Sequence, residues 1–356
     1  MKKLKVAIIG VGGISGVHIA GYLSDPRCEL YAFCDINAKT LKVKGEKYGI
    51  TRLYTDYNQM FKACPEIDVV SICTWNNAHV PAGLAAVENG CHVFCEKPMA
   101  MSAEEAEKLK IAAEKKNVKL ALGFVRRFGK DAALARELVE NGMLGDIYYA
   151  KAEYLRRNGN PRGWFSEKRL SGGGPMIDLG VHVIDLVRYI AGNPLPVAVY
   201  GATFVKLGDR HQLHDKPAYL LSDGADERSS GVCDVEDLAT ATIRFDNGMV
   251  LNVETSYSLN IGEESRRVQV LGDKGGITIN PDLTYHGEVL NRLADITFAT
   301  PTRFAGTEYA DEIHAFISAI EGEAEIRATA ADGVWLMKIL DAIYESARTE
   351  REVKIK

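Results

Sequence analysis

The sequence predicts an α/β protein of two domains: a doubly wound parallel sheet over residues 1–123, then an α+β domain over residues 124–356 with an open, largely antiparallel sheet. Three observations support this fold class. The chain of 356 residues is too long for one ordinary hydrophobic core. In the first part, short apolar runs alternate with helical patterns, and in the second part strand-like runs and turn sequences predominate.

The apolar runs of the first domain are short and end at glycine or polar residues, as buried parallel strands do. They lie at 4–9, 29–34, 68–73, 91–95 and 118–122, with helical patterns between them at 38–48, 80–89 and 102–116. The last of these helices begins with a capping box, because Ser102 is followed three residues later by Glu105. This alternation predicts a parallel sheet with helices on both faces.

The second domain begins with a helix and a long strand, and strand-like runs then predominate over helical patterns. Its predicted helices lie at 130–141, 177–191, 308–320 and 330–347, and its strands at 146–156, 197–205, 238–245, 249–257, 267–271, 276–279 and 353–355. Asp246-Asn247-Gly248 is typical of a hairpin turn, so we expect antiparallel pairing with helices to one side. For the last helix and strand, packing against the first domain is the alternative. Residues 207–232 are polar and aperiodic, which predicts a long loop at a subunit contact or a pocket rim.

The charge balance excludes two classes of partner. A net charge of −5 lacks the basic footprint that nucleic acids and anionic membranes require, so neither is expected. No apolar run approaches the roughly 18–20 residues that span a bilayer. The basic start resembles a signal peptide, but its apolar stretch breaks at Gly10, so we expect no cleavable leader.

The cysteines and histidines predict no metal site. Six of the seven cysteines precede residue 96, and Cys91 and Cys95 have no second pair of ligands nearby. We interpret them as buried, reduced cysteines of a cytoplasmic protein. His211 and His214 have a spacing that metal sites use, but no third ligand is identifiable.

A glycine-rich turn directly follows the first predicted strand and opens a helix. Its sequence, Gly10-Val11-Gly12-Gly13-Ile14-Ser15, matches the dinucleotide fingerprint G-x-G-x-x-G except for serine in the third glycine position. In a Rossmann domain, the first glycine permits the tight turn and the second lets the backbone approach the pyrophosphate at the helix N-terminus. We therefore predict that Gly10, Gly12, Gly13 and Ile14 bind a dinucleotide. The alternative is a glycine turn without a nucleotide.

Asp35 ends the second predicted strand, about 20 residues beyond the glycine turn. An acidic side chain at this place in a Rossmann domain binds the ribose hydroxyls and repels a 2′-phosphate, so we predict NAD rather than NADP. Lys39 and Lys42 follow closely and leave use of NADP open. Alternatively, an aspartate at a strand end simply caps the next helix.

Two further predicted strands end in polar residues. Ligands in open α/β sheets lie at the carboxyl ends of the strands. The cofactor-binding residues predicted there are Thr74, Asn76 and His79 after the third run, and Glu96 and Lys97 after the fourth. Proline follows this charged pair, which is an unusual choice for a simple turn.

A second candidate group lies after three consecutive glycines at 172–174. Asp178 and His182 are four residues apart and share one face of the predicted helix. A carboxylate beside an imidazole fixes its tautomer and stabilises the imidazolium, as a general base requires. The alternative is a buried structural hydrogen bond. Asp185, one turn further, is more typical of a helix anchor than of a catalytic group.

Together these motifs resemble the glucose–fructose oxidoreductase/inositol dehydrogenase/rhizopine-catabolism (Gfo/Idh/MocA) family. The resemblance rests on the glycine turn with His18 eight residues after Gly10, on Glu96-Lys97-Pro98, and on the segment from the three glycines to His182. It extends over essentially the whole chain. Ser15 in the third glycine position and Trp75, where the family usually has proline, depart from it.

The resemblance implies an NAD(H)-dependent dehydrogenase or reductase. It implies that Lys97 hydrogen-bonds the reacting oxygen near the nicotinamide, that His182 is the acid/base group, and that Asp178 is its partner. A desolvated Lys97 could itself be the base. The resemblance also implies a cis Lys97–Pro98 peptide and a homo-oligomer, either a dimer or a tetramer, formed through the open sheet of the second domain.

The implied substrate is a small carbohydrate-like molecule. The reacting group would be a secondary hydroxyl, or a ketone, of a sugar, cyclitol or glycoside, with C3 of a glycoside as an attractive candidate. Besides the three catalytic residues, the predicted substrate-binding residues are Arg126, Arg157 and Trp164, which combine hydrogen-bond donors with a flat stacking surface. A solvated basic turn with a core tryptophan is the alternative. Two other functions stay open: a redox-neutral, glycoside-cleaving enzyme with tightly bound NAD, and a non-enzymatic NAD-dependent sensor.

Overall fold

The computed structural model describes residues 3–208, 210, 212–214 and 232–356. The chain forms two compact units. The first comprises Met1–Val125 and Gly306–Val334, and the second comprises Arg126–Ala305 and Trp335–Lys356.

The first unit contains a six-stranded, entirely parallel sheet with the strand order β3-β2-β1-β4-β5-β6. Its strands are β1 (Leu4–Ile9), β2 (Cys28–Cys34), β3 (Leu53–Tyr54), β4 (Val69–Ile72), β5 (His92–Cys95) and β6 (Leu120–Leu122). Its helices before residue 125 are α1 (Ser15–Ser24), α2 (Ala38–Tyr48), α3 (Tyr57–Ala63), α4 (His79–Glu88) and α5 (Ala103–Lys116). The chain order reverses between β1 and β4, so the predicted doubly wound Rossmann sheet is confirmed.

Burial on both faces explains why the parallel strands have continuous apolar sequences. Val6 and Ile8 of β1 are fully buried, as is Val69 beside them in β4. The capping box of α5 is also present. The Ser102 hydroxyl accepts the N–H of Glu105 at 3.3 Å, and the Glu105 carboxylate accepts the N–H of Met101 at 3.2 Å.

The sequence did not predict β3 or α3. β3 has two residues and α3 has seven, so neither contains enough residues to give a recognisable period. A capping signal was present, because the Asp56 carboxylate accepts the N–H of Asn58 at 2.8 Å at the start of α3.

The second unit contains a nine-stranded mixed sheet with the order β14-β13-β12-β11-β7-β10-β9-β8-β15. Its strands are β7 (Ile147–Leu155), β8 (Pro196–Phe204), β9 (Leu238–Phe245), β10 (Val250–Ser256), β11 (Val268–Gly272), β12 (Gly276–Ile279), β13 (Leu283–Val289), β14 (Arg292–Thr297) and β15 (Val353–Lys354). β7 and β10 pair in parallel, whereas the other pairs are antiparallel. The predicted open, largely antiparallel sheet is therefore confirmed.

The helices of the later chain divide between the units. They are α6 (Lys130–Glu140), α7 (Lys168–Ser171) and α8 (Val181–Ile190) in the second unit, α9 (Glu308–Ile320) in the first, and α10 (Ala330–Thr349), which begins in the first and continues in the second. A π-helical turn, Met176–Gly180, runs directly into α8.

The hairpin of β13 and β14 was missed because its turn and its second strand lack the usual signals. Leu290 and Asn291 both have positive φ, 51° and 59°, as a tight hairpin turn requires, but leucine is an uncommon residue for that conformation. β14 is exposed along most of its length, and Leu293 is 91% exposed, so no alternating pattern appears in the sequence.

Helix α9 returns the chain to the first unit, whereas the sequence analysis assigned all residues after 123 to the second domain. Gly21 of α1 lies against α9, and a Cβ at that position would lie 3.0 Å from the Ile313 side chain. The Ala328 carbonyl then accepts the N–H of Leu122 at 3.1 Å. The final strand, β15, pairs with β8 of the second unit, where Val353 lies opposite Val199.

Within the described parts of the chain, no helix is both long and apolar enough to cross a membrane. The same residues contain no group of three or more His, Cys, Asp or Glu side chains placed to hold a metal ion. The seven cysteines are free thiols, six of them buried. Most of the predicted loop 207–232, including His211 and Asp215, lies outside the described residues.

Candidate active site

The glycine turn between β1 and α1 has the geometry that a close ligand approach requires. Gly10 has φ of +85°, and a Cβ there would lie 2.6 Å from the Cys73 carbonyl oxygen, so glycine is the residue that fits. Gly12 is exposed, and a Cβ there would meet no atom within 4 Å. The backbone at Gly12 is therefore open to a ligand, while Gly10 fixes the turn.

Serine in the third glycine position is accommodated without loss of packing. Ser15 is fully buried at the start of α1, and its hydroxyl donates to the Gly12 carbonyl at 2.7 Å. No side chain caps the start of α1, so its positive dipole end faces the glycine turn, as at the pyrophosphate site of a Rossmann domain. The departure from the glycine fingerprint therefore preserves the turn.

Asp35 lies against this turn. One carboxylate oxygen accepts the N–H of Val11 at 2.8 Å, and the other accepts the N–H of Asn37 at 2.7 Å. Asn37, not Asp35, caps α2, because its side chain accepts the N–H groups of Lys39 and Thr40. Each oxygen of Asp35 retains lone pairs for a further donor, so the glycine turn and this carboxylate together fit the ribose and pyrophosphate of a dinucleotide.

Behind Lys97 lies a buried chain of hydrogen bonds. The His18 ring nitrogens contact the Ser71 hydroxyl and the Glu96 carboxylate, each at 2.8 Å. The second oxygen of Glu96 accepts the backbone N–H of Lys97 at 3.0 Å. His18 is thus linked through Glu96 to the backbone from which the Lys97 side chain extends.

His18 and Glu96 form a buried ion pair. Burial alone would lower the pKa of His18, but Cys73 and Glu96 beside it raise that pKa well above its ordinary value. Burial likewise opposes ionisation of Glu96, yet the hydrogen bond and charge of His18 keep the Glu96 pKa below its usual value. Each charge compensates the other, so both survive away from water.

Glu312 of α9 is a buried carboxyl group without such compensation. It is 1% exposed, and among the described residues neither of its oxygens has a hydrogen-bond partner. Burial and the negative charge of Glu96 raise the pKa of Glu312 well above its ordinary value, although His18 opposes the rise. Because the charge of His18 is already matched by Glu96, Glu312 is held in the neutral, protonated form.

The turns after β4 and β5 are tied together by His79. His79 is 1% exposed, and its ring nitrogens contact the carbonyl oxygens of Thr74 at 3.1 Å and Pro98 at 2.7 Å. Burial lowers the pKa of His79, so the neutral ring donates to one carbonyl at a time. The Lys97–Pro98 peptide is cis, as predicted. Asn76 is buried in the short turn before α4, so all the residues predicted here lie at the carboxyl edge of the sheet.

In the second unit, Asp178 and His182 lie on one continuous helical segment and are both half-buried. The sequence predicted an ordinary α-helix here, but Met176–Gly180 is a π-helical turn. Gly180 permits this winding, since a Cβ there would lie 2.5 Å from the Met176 sulfur. π-Turns inside helices are frequent at functional sites.

Asp185 anchors α8, as the sequence analysis favoured. Its two carboxylate oxygens accept hydrogen bonds from Arg127 at 2.9 and 2.6 Å, and both side chains are at most 1% exposed. The Arg127 guanidinium also lies 5.1 Å from the ring centroid of Tyr189. This bidentate pair fixes the rotation of the helix that bears His182.

Sequence reasoning missed two neighbours of Asp178. Tyr257 is fully buried, and burial together with the charge of Asp178 raises its pKa well above the ordinary value. Arg156 is 5% exposed, and burial would lower its pKa, but Tyr154 and Asp178 raise it. The sequence favoured Arg157, yet the turn after β7 buries Arg156 and exposes Arg157. The two arginines are adjacent, so composition alone could not distinguish them.

The predicted substrate-binding residues are less constrained. Arg126 forms an ion pair with Asp131, and its guanidinium lies 4.9 Å from the centroid of the Phe304 ring. Trp164 stacks on Phe165 with 3.9 Å between ring centroids. The exposed Arg157 contacts Glu264 through its backbone N–H at 3.1 Å. The role of these residues in substrate binding stays a prediction.

Two sequence models of one family match the chain. The model described as "Oxidoreductase family, NAD-binding Rossmann fold" matches residues 4–124, and "Oxidoreductase family, C-terminal alpha/beta domain" matches residues 136–355. Together they extend over both domains that the sequence predicts.

Several characterised proteins are similar over their full length. The chain is 37% identical to a D-glucoside 3-dehydrogenase of Escherichia coli (strain K12), covering 99% of this chain and 97% of the relative. It is 27% identical to a levoglucosan dehydrogenase of Pseudarthrobacter phenanthrenivorans, covering 100% of this chain and 99% of the relative. A solved structure of levoglucosan dehydrogenase in complex with NADH and levoglucosan aligns with a TM-score of 0.84 at 26% identity, covering 99% of this chain and 100% of that one.

The contacts of Asp35 predict a test of cofactor choice. Asp35→Ser removes the acceptor for the ribose hydroxyls and should weaken NAD binding about ten- to a hundredfold. Discrimination against NADP should relax, because the repulsion of a 2′-phosphate is also lost. Calorimetric titration with both dinucleotides measures the effect. Asp56→Ser, which removes a carboxylate elsewhere in the same unit but keeps a residue that can cap α3, is the matched control. Tighter binding of NADP than of NAD by the unmodified protein would refute the assignment.

The neutral state of Glu312 predicts a pH-dependent stability. Above about pH 4.3 the unfolded chain loses the Glu312 proton that the folded chain retains. The unmodified protein is therefore destabilised, by about 1.4 kcal/mol per pH unit, as the pH rises toward the folded-state pKa. Glu312→Gln removes this dependence, so its melting temperature relative to the parent should increase between pH 5 and pH 8. The exposed Glu321→Gln is the control. A constant difference across that range would show that Glu312 is ionised in the folded protein.

Proposed function

The chain belongs to the Gfo/Idh/MocA oxidoreductase family, and from that premise we propose that it oxidises the C3 secondary hydroxyl of a glycoside with NAD. The resemblance seen in the sequence is thereby confirmed at the level of the family. The protein is an oxidoreductase with an NAD-binding Rossmann domain. The substrate and the carbon that reacts are the proposed part.

The similarity to the D-glucoside 3-dehydrogenase carries this proposal. That similarity is 37% identity over nearly the full length of both chains, so it includes the candidate residues of both units. The levoglucosan dehydrogenase supports the same substrate class at lower identity. Half-buried acid/base groups at 178 and 182, with a buried arginine and tyrosine beside Asp178, suit a substrate bearing several hydroxyls.

We assign the acid/base roles as follows. Bound NAD supplies the acceptor for the hydride that leaves the carbinol carbon. His182 takes up the hydroxyl proton as that hydride leaves, so the C–H and O–H bonds are exchanged for a C=O bond. Asp178 holds the imidazole in the required tautomer and balances its charge once it is protonated.

Lys97 donates a hydrogen bond to the reacting oxygen. Its backbone is held by the ion pair of His18 and Glu96, which limits its movement. In the reverse direction, reduction of a ketone, the same ammonium group would stabilise the charge that develops on oxygen. Lys97 is also the alternative base.

We further propose that the protein is a cytoplasmic homo-oligomer, a dimer or a tetramer. The exposed face of the nine-stranded sheet supports association through that face. On β8 it carries Tyr200, which is 53% exposed, and Phe204, which is 40% exposed. Large apolar side chains grouped on an open sheet face are typical of a subunit interface.

A panel of glycosides deuterated at single carbons tests the substrate proposal. A glucoside labelled at C3 should transfer its deuterium to the cofactor, whereas labels at C2 or C4 should stay in the sugar. The measurements are NADH formation and mass analysis of the reduced cofactor. Transfer from another carbon contradicts C3 oxidation. Cleavage of the glycoside without net NADH favours the redox-neutral enzyme, and binding of NAD without any turnover favours the sensor.

Substitutions at the three predicted catalytic residues test the mechanism. Lys97→Ala and His182→Ala should each lower kcat/KM by about 10²–10⁴-fold, because each removes acid/base assistance. Asp178→Asn should be milder, since it removes orientation rather than the base. NAD affinity should be nearly unchanged in His182→Ala. Lys119→Ala, at an exposed lysine of the first unit, is the control.

The combined change at 178 and 182 should cost less than the product of the single effects, because the two residues act as one unit. Multiplicative losses, or near-normal turnover by His182→Ala, would mean that this pair is structural. Lys97 would then be the first alternative for the base.

A further inference from the structure

A buried carboxylate that the sequence analysis did not single out holds the turn before Asp178. Glu236 is 6% exposed and lies just before β9. One of its oxygens accepts the N–H of Gly174 at 3.0 Å. The other accepts the N–H of Met176 at 3.3 Å and the hydroxyl of Tyr344 at 2.7 Å. Three donors thus converge on one carboxylate.

These three contacts favour the ionised form of Glu236. Burial raises the pKa of Glu236 above its usual value, and the hydrogen bonds from Tyr344, Gly174 and Met176 oppose that rise. Burial and the charge of Glu236 raise the pKa of Tyr344, so the phenol stays neutral and donates. All three groups that contact the carboxylate donate to it, which suits a negative charge.

The consecutive glycines allow this carboxylate to lie against the turn. A Cβ at Gly174 would lie 2.4 Å from the Glu236 carbonyl oxygen, and a Cβ at Gly173 would lie 2.1 Å from the Tyr344 hydroxyl. Larger residues would separate the turn from both side chains. The glycine run recognised in the sequence therefore makes room for Glu236 and Tyr344.

The charge of Glu236 lies at the N-terminus of the helical segment that carries Asp178 and His182. Unsatisfied N–H groups and the helix dipole favour an anion there. His182 lies six residues beyond Met176, about 9 Å along a helix. The charge also acts on the surroundings of Asp178, because Glu236 and Asp178 both raise the pKa of the buried Tyr257 and Arg156 opposes them.

We propose that Glu236 is a positioning residue for the reaction of this site: its carboxylate fixes the glycine turn from which Asp178 and His182 extend, and its charge favours the imidazolium that forms on His182. The inference rests on the proposed function. The other ionisable groups that face this region are Asp178 on the same segment, Tyr344 of α10, Tyr257 after β10, Arg156 after β7, and Lys168, whose ammonium lies 5.7 Å from the Tyr344 ring.

Glu236→Gln separates the charge from the shape of the side chain. NMR titration of the His182 ring in the cofactor-free protein, assigned with His182→Ala, should show a pKa about half to one unit lower than in the parent. The acid limb of the kcat/KM profile should move to lower pH by the same amount. The dissociation constant for NAD should not change, because the dinucleotide residues belong to the other unit.

Tyr344→Phe is the matched variant, because it removes one hydrogen bond but leaves the carboxylate charged. We expect kcat to fall about three- to tenfold with the KM for the glycoside unchanged, and we expect the His182 titration to stay close to that of the parent. A residue with a merely structural role would lower stability in both variants without shifting the titration.

The outcomes are distinguishable. Identical His182 titrations in the parent and Glu236→Gln overturn the role of the charge, and parent-like kcat in Tyr344→Phe overturns the role of the contact. If Glu236→Gln does not fold, the His182 titration of the unmodified protein is the test. A His182 pKa at or below about 6.5 in that protein contradicts the proposal. Absence of NADH formation from any glycoside would contradict the proposed function instead, and the NMR comparison would still test Glu236.

Discussion

Carboxylates that accept backbone N–H groups hold the turns that carry the candidate site residues of each unit. Asp35 binds the N–H groups of Val11 and Asn37, Glu96 binds that of Lys97, and Glu236 binds those of Gly174 and Met176. A glycine-rich or proline-containing turn has little side-chain packing of its own. A charged acceptor supplies strong, directional contacts that such turns otherwise lack. Without these carboxylates, the glycine-containing turns would still be conformationally flexible, but they would no longer be held in the conformation that the site requires.

Burying an ionised carboxylate costs free energy because the charge loses its water. In this protein a neighbouring positive charge offsets that loss. Glu96 is ionised because His18 lies 2.8 Å away, and Asp185 because Arg127 binds both of its oxygens. Among the residues that the structure describes, Glu312 has no partner of either kind, and it stays neutral. The contrast shows that burial alone does not determine protonation. What determines it is whether donors or an opposite charge replace the lost water. Each of these buried charges therefore depends on its own partner.

The sequence revealed those features that depend on local patterns. Each of these features is formed by residues that are close together in the sequence. They are the glycine turn, the capping box at Ser102 and the alternation of strands and helices, and the sequence analysis found all of them. The segment bearing Asp178 and His182 was found as a helix, but not its π-helical turn, because the contact of Gly180 with Met176 has no periodic signature. The short β3 and the exposed β14 were missed for want of any pattern.

Features that join distant parts of the chain could not be predicted in the same way. Glu236 lies about 60 residues from the turn that it holds, and Tyr344 reaches it from the last helix. Nothing in the local sequence of either residue indicates the other. The return of Gly306–Val334 to the first unit is a long-range event of the same kind. Adjacent residues pose a related difficulty: whether Arg156 or Arg157 turns inward depends on how β7 ends, and a one-residue shift reverses the answer.

The structure separates residues that build the site from those that could vary with the substrate. Glu96, Asp185 and Glu236 are buried and bound on several sides, so replacing any of them would leave donors or charges unpaired. Arg157 is exposed, and Trp164 stacks on Phe165. Neither side chain carries a buried charge, so a change at these two positions leaves the buried ion pairs in place. A scaffold arranged in this way can alter the shape and polarity of its substrate pocket while the acid/base groups and the dinucleotide turn stay in place. Substrate specificity would then change through residues such as Arg157 and Trp164, whose side chains carry no buried charge.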